Sequence, residues 1–164
     1  MRVILVTGSS GFVGQNLCSV LERREDISLL RYDIQNTAED LHVALDQADA
    51  IFHLAGVNRP KDPKEFVTGN TGLTQDICKY LMEKGRKPLL VITSSAQAAL
   101  DNPYGLSKRQ AEKTVADYAN WGNTEKILTQ RREGATDLID ASPNKTPLCV
   151  SASLRQTLFR MKYE

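Results

Sequence analysis

Tyr104 and Lys108 lie four residues apart in Asn102-Pro103-Tyr104-Gly105-Leu106-Ser107-Lys108, a spacing that sets a phenol and an amine on one helix face. Pro103 suits the first helical position and Asn102 its cap, so Tyr104 falls in the first turn. A free tyrosine, with a pKa of about 10, is a poor acid or base at neutral pH. A neighbouring cation and the positive end of a helix both favour its ionised form, so Lys108 is expected to tune Tyr104 for proton transfer. The spacing alone is common by chance, and a solvated helix face carrying a packed tyrosine is the ordinary alternative. A glycine-rich turn far upstream changes that balance.

The turn is Thr7-Gly8-Ser9-Ser10-Gly11-Phe12-Val13-Gly14. It follows Val3-Ile4-Leu5-Val6, an unbroken apolar run expected of a strand buried on both faces of a parallel sheet. It then opens a helix from about 12 to 24, where Phe12, Val13, Leu17, Val20 and Leu21 recur at near-helical spacing and are expected to pack on the sheet. Strand, tight turn and helix make a site for a dinucleotide pyrophosphate. Glycines admit its close approach, and the helix N-terminus offers free N–H groups. The spacing Gly8-x-x-Gly11-x-x-Gly14 is three and three, against the two and three of Gly-x-Gly-x-x-Gly.

Beyond the turn, strands alternate with helices, the signature of parallel βαβ construction. Ile27 to Tyr32 reads as a strand, and Thr37 to Ala48 as a helix with a capping box at Thr37 and Asp40 and one face of Leu41, Ala44, Leu45 and Ala48. Ala50 to Leu54 reads as the next strand, followed by the loop Ala55-Gly56-Val57-Asn58-Arg59-Pro60. Leu73, Ile77 and Leu81 mark a helix closed near Gly85, and Pro88 to Thr93 a strand ending in Ser94-Ser95. Ligands bind at such carboxyl ends in open α/β sheets.

The chain has 164 residues, a formal net charge of +1 and 41% hydrophobic residues, enough for one domain with a real core. No basic block argues for nucleic acid. The opening apolar run is too short for a signal peptide or membrane span, and the reading is cytosolic. Cys18, Cys78 and Cys149 are far apart, and the first two read as small core residues. With only His42 and His53 and no Cys/His cluster, no metal site is expected.

Thr7-Gly8-x-x-Gly11-x-x-Gly14, His53-Leu54-Ala55-Gly56, Ser94-Ser95 and Tyr104-x-x-x-Lys108, in this order over roughly residues 1–120, resemble the extended short-chain dehydrogenase/reductases, the NAD-dependent epimerase/dehydratases. That resemblance implies a Rossmann-like α/β fold, a doubly wound parallel sheet with helices on both faces. The wording Ala55-Gly56-Val57-Asn58-Arg59-Pro60 and the short interval from Ser94-Ser95 to Tyr104 look like a narrower group. These are bacterial capsular-polysaccharide reductases that reduce a UDP-2-acetamido-2,6-dideoxy-4-hexulose in UDP-N-acetyl-L-fucosamine synthesis.

The resemblance implies roles residue by residue. Tyr104 would give a proton to the carbonyl oxygen, Lys108 would tune Tyr104 and hold the nicotinamide ribose, and Ser95 would orient the carbonyl. Gly8, Gly11, Phe12, Val13, Gly14, Leu54, Ala55 and Gly56 would line the dinucleotide. Asn70 is a weaker match to a helix asparagine that supports a proton relay in the wider superfamily. The cofactor is NADP(H) or NAD(H): Asp33 lies near the offset at which an acid takes the ribose hydroxyls of NAD, Arg31 could meet a 2′-phosphate, and the narrower resemblance tilts toward NADPH. A UDP-sugar substrate and a homodimer are also implied.

Departure from that pattern begins near Asn120. No apolar strand is evident in Glu125 to Gly134, Ser142 to Pro147 reads as loop, and Ser151 to Tyr163 as a short strand or helix. Residues 1–121 are therefore expected to form the NAD(P)-binding domain and 122–164 a divergent, poorly packed tail. The substrate-binding region is expected to be missing, as in a truncated or frame-shifted product; a diverged small homologue using the tail as a final strand is the alternative. Two functions follow: a nucleotide-sugar reductase, or a dinucleotide-binding module with little turnover.

Overall fold

The computed structural model describes residues 1–58, 60–62 and 64–122, together with the strands Ile127–Gln130, Thr136–Leu138 and Leu148–Val150. Arg59 and the segments read above as loop at 142–147 and as strand or helix at 151–163 lie outside the described residues.

Short Val-, Ile- and Leu-rich segments make the strands β1 (Arg2–Thr7), β2 (Ile27–Tyr32), β3 (Ala50–His53) and β4 (Leu89–Thr93). Between them run α1 (Phe12–Leu21), α2 (Ala38–Gln47), the single turn α3 (Lys64–Phe66) and α4 (Leu73–Glu83), and α5 (Pro103–Gly122) follows β4. With β5 (Ile127–Gln130), β6 (Thr136–Leu138) and β7 (Leu148–Val150), one sheet has the order β2-β1-β3-β4-β5-β6-β7. The pairs from β2 to β5 are parallel, and the pairs β5–β6 and β6–β7 are antiparallel.

Alternate side chains of these strands enter two cores. Leu5, Ile51, Leu90 and Ile92 meet Leu41, Leu45, Ile77, Leu81, Val115 and Tyr118 from α2, α4 and α5. Ile4, Val6, Phe52 and Val91 meet Leu17, Cys18 and Leu21 from α1. Helices thus cover both faces, which is why the strands read as continuous apolar runs. Cys18 and Cys78 are buried and unpaired. The capping box of Thr37 and Asp40 is formed, and Gly85 follows α4 with φ +66°.

Two expectations are corrected. On α1, Phe12 is 85% exposed and Val20 51%, with Val13 exposed as well; the packed face is Gly14, Leu17, Cys18 and Leu21, whose three-one-three spacing the scattered apolar residues obscure. And a strand does continue the sheet after residue 122: Ile127 pairs with Leu90 and Gln130 with Thr93, parallel. Only Ile127 and Leu128 of its four residues are apolar, so the signal of a buried strand is too short to stand out from sequence. Among the described residues no helix is long and apolar enough to cross a membrane.

Candidate active site

The chain leaves β1 toward β2 on one side and returns to β3 on the other, so the sheet's switch point lies between the carboxyl ends of β1 and β3. The glycine turn follows β1 and Leu54-Ala55-Gly56 follows β3. They abut: Gly8 has φ +67°, and a Cβ on it would lie 2.6 Å from the Ala55 nitrogen. A Cβ on Gly14 would overlap the Gly8 carbonyl oxygen, so α1 can pack onto the turn only through a glycine. Gly11, extended at φ −71° and ψ 165°, precedes α1 and has no side chain to cap it. The first-turn amides of Phe12, Val13 and Gly14 lack intrahelical acceptors, as amides at a helix start do, and such amides suit an anion. This cradle fits a dinucleotide pyrophosphate.

At the end of β2, Asp33 reaches back to the turn. Its Oδ2 accepts from the Ser10 N–H at 2.6 Å and its Oδ1 from the Ile34 N–H at 2.8 Å. Burial pushes its carboxyl up, but these N–H donors outweigh that effect and hold it below the ordinary carboxylate value. Arg31 is instead committed to an ion pair with Glu22. Leu54 is half-buried against the α1-side core, with its N–H donated to the Thr7 carbonyl at 3.1 Å.

Across the cleft, Asn102 caps α5 by accepting the Gly105 N–H at 2.7 Å. Tyr104 is half-buried, its ring 5.4 Å from that of Phe66. Lys108, only 7% exposed, donates to the Thr93 carbonyl at 3.4 Å, and its Nζ lies 5.9 Å from the Tyr104 ring centre. A Cβ on Gly56 would come within 3.0 Å of Lys108 Nζ, so this glycine lets the ammonium sit against the β3 loop.

Of the paired serines, Ser94 donates to the Glu112 carboxylate, whereas Ser95 accepts the Gln97 N–H at 3.2 Å and caps a 3-10 turn over Ala96–Ala99. Ser95 itself is 6% exposed. Gly105 carries no distinguishing sign in the sequence, yet a Cβ there would overlap the Gln97 carbonyl and lie 2.6 Å from that of Leu100. Its absence lets the Ser95 turn pack against the first turn of α5. The nine-residue interval from Ser95 to Tyr104 is the only sequence signal of that close fit.

His53, which opens the motif His53-Leu54-Ala55-Gly56, has no role that the sequence assigns. It is 4% exposed, its Nδ1 2.7 Å from Thr7 Oγ1 and its Nε2 2.9 Å from Thr74 Oγ1. Burial, and secondarily the charge of Lys108, push its pKa down to about 3. Thr7 and His53 are register partners on β1 and β3, and a polar residue ending each of two apolar runs was the available sign. The unfolded chain takes up this proton near pH 6.5 and the folded chain only near 3, so between these values unfolded molecules hold more protons and stability falls with falling pH. Urea midpoints should drop from pH 7.5 to pH 5, and His42→Gln, at an exposed histidine, should leave the drop intact. A midpoint constant over that window would show that His53 is not held neutral.

Asn70 and Thr71 are buried in a π-helical turn over Val67–Gly72. The Asn70 side chain is committed to Val57 and Ser107, and its carbonyl accepts the Thr74 hydroxyl at 2.7 Å. Among the described residues no group of three or more His, Cys, Asp or Glu is placed to hold a metal ion.

A dinucleotide cradle at the switch point of a parallel sheet, with a Tyr/Lys helix facing it, defines a Rossmann-like dinucleotide-binding domain. Residues 4–129 match the NAD dependent epimerase/dehydratase family, and the chain belongs to it. It is 47% identical over 110 residues to a UDP-2-acetamido-2,6-beta-L-arabino-hexul-4-ose reductase of Pseudomonas aeruginosa, a match covering 67% of this chain and 30% of the reductase. The structure of the capsular polysaccharide assembling protein CapF from Staphylococcus aureus superposes with a TM-score of 0.66 at 40% identity, over 78% of this chain and 34% of CapF. RMD from Pseudomonas aeruginosa, complexed with NADPH, gives a TM-score of 0.62 at 26% identity over 80% of this chain and 53% of RMD. The chain thus spans about a third of the length of the first two relatives.

Proposed function

We propose that these residues form the cofactor-binding and proton-donating part of an NAD(P)-dependent nucleotide-sugar reductase acting on a UDP-linked 4-keto-6-deoxy amino sugar. The observation that carries this reading is the meeting of the glycine cradle, the Ser95 turn and the Tyr104/Lys108 helix at one end of the sheet. The P. aeruginosa relative, a reductase of a UDP-linked hexul-4-ose by its name, supports the substrate class. A cytoplasmic, homodimeric enzyme of capsule or surface polysaccharide synthesis is the setting that goes with it.

Bound NAD(P)H would supply the hydride. The chain's own part is placement and one proton. Ser95, with its oxygen accepting from Gln97, donates its hydrogen to the substrate carbonyl and fixes that oxygen. Tyr104 gives its phenolic proton to the same oxygen as negative charge develops there. Lys108 holds the nicotinamide ribose and keeps a positive charge beside Tyr104. Asp33, kept anionic at the end of β2, accepts from the adenosine ribose hydroxyls and repels a 2′-phosphate, while Arg31 is turned to Glu22. The pair favours NAD(H), against the tilt toward NADPH drawn from the resemblance.

The test is loss of reduced-nicotinamide absorbance on adding UDP-2-acetamido-2,6-dideoxy-4-hexulose, together with calorimetric affinities for NADH and NADPH. NADH should bind at least about tenfold more tightly, or about 1.4 kcal/mol, and Asp33→Ser should narrow the gap. Equal affinities in the wild type would reject the role of Asp33. Cofactor binding without any turnover would favour a dinucleotide-binding module.

A further inference from the structure

The buried polar groups between the two halves of the site form a chain whose direction can be worked out by counting protons. The Thr74 hydroxyl donates to the Asn70 carbonyl at 2.7 Å, and a hydroxyl has one proton to give. Toward His53 Nε2, 2.9 Å away, it can only accept, so Nε2 carries the ring's hydrogen. With the imidazole neutral, Nδ1 is an acceptor, and the Thr7 hydroxyl at 2.7 Å must donate to it. That leaves Thr7 Oγ1 to accept the Ala55 N–H at 3.3 Å. Each group's role follows from its neighbour's.

Beyond Thr74 the chain continues through Asn70. Its Oδ1 accepts the Val57 N–H at 2.8 Å, and its Nδ2 donates to the Val57 carbonyl at 3.1 Å and to Ser107 Oγ at 3.0 Å. Ser107 in turn donates to the Tyr104 carbonyl at 2.8 Å. The π-helical turn around Asn70 widens the helix there, a distortion common at functional sites. Ala55 and Val57 flank Gly56, the residue against which Lys108 Nζ packs, and Ala55 is the backbone that the glycine turn abuts.

We infer that His53 is a positioning residue: as a neutral Nε2–H imidazole it orients Thr7 and Thr74 so that the Ala55–Val57 loop, the glycine cradle and the Tyr104/Lys108 helix are held in one register. A wrong tautomer would reverse Thr7 or leave Thr74 facing a second acceptor, and burial makes either mismatch expensive. The inference rests on the proposed dinucleotide site only for its affinity measurement.

The experiment uses nitrogen-15-labelled full chain, whose two imidazoles, His42 and His53, give a simple long-range ¹H–¹⁵N spectrum. His53 should show a neutral ring protonated at Nε2 at pH 7. An Nδ1–H or doubly protonated ring overturns the inference, and this measurement needs no variant. Thr74→Val removes the acceptor for Nε2–H. It should raise amide exchange at Ala55 and Val57 about tenfold and weaken NADH binding about tenfold, whereas Thr74→Ser keeps both within about twofold of wild type. Unchanged exchange at Ala55 and Val57 in a folded Thr74→Val chain also overturns it. If wild-type protein binds no NADH, the proposed function fails, and the tautomer and exchange results still decide the role of His53.

Discussion

Tyr104→Phe should lower carbonyl reduction by about 10²-fold or more while cofactor affinity stays nearly unchanged. The separation follows from what each part of the side chain touches. Its ring packs against Phe66 at 5.4 Å and lies near Lys108, and phenylalanine keeps both neighbours. Only the hydroxyl is lost, and with it the proton for the carbonyl oxygen. Steady-state oxidation of reduced nicotinamide with the UDP-linked 4-keto sugar, run beside a cofactor titration, reads both quantities. A variant that keeps the wild-type rate would remove Tyr104 from the chemistry. Loss of binding in parallel with rate would instead mean that the ring, not the hydroxyl, matters.

Gly11→Leu should abolish dinucleotide binding, at least about a hundredfold, or about 2.8 kcal/mol, without unfolding the protein. The three glycines differ in what a side chain would disturb. At Gly8 the backbone is left-handed and a Cβ would run into Ala55, and at Gly14 it would overlap the turn itself, so either change damages the fold. Gly11 has an extended backbone that any residue adopts, and its Cβ would meet only the Gly8 carbonyl, at 3.2 Å. A leucine there requires the Gly8 carbonyl to give by only a few tenths of an ångström, a smaller disturbance than at Gly8 or Gly14, yet it adds bulk beside the first turn of α1, where a pyrophosphate must approach. Calorimetric titration with NADH, with circular dichroism to check the fold, decides it. Equal affinity in Gly11→Leu and wild type would show that the phosphates do not lie on this turn.

The sequence by itself determined the parts whose causes are local. The apolar run Val3 to Val6 before three spaced glycines implied β1, the turn and α1. Thr37 with Asp40, and Asn102 with Pro103, marked helix starts because a cap is a bond between residues two or three positions apart. Alternation of strands and helices placed the carboxyl-end loops, and so the regions of Gly8, Gly56, Ser95 and Tyr104, at one edge of the sheet. Tertiary structure decided what depends on partners far along the chain. Whether Phe12 and Val20 pack or face outward depends on where the sheet lies, which their spacing did not resolve. Ile127–Gln130 becomes a strand because β4 offers a free edge to it, not because four half-polar residues prefer one. Thr7 and His53 are 46 residues apart, Asn70 and Ser107 are 37 apart, and no local pattern announces that each pair must meet. The glycine at 105 was visible only as a glycine until the Ser95 turn came to rest against it, since the need for a missing Cβ belongs to the neighbour that occupies its space.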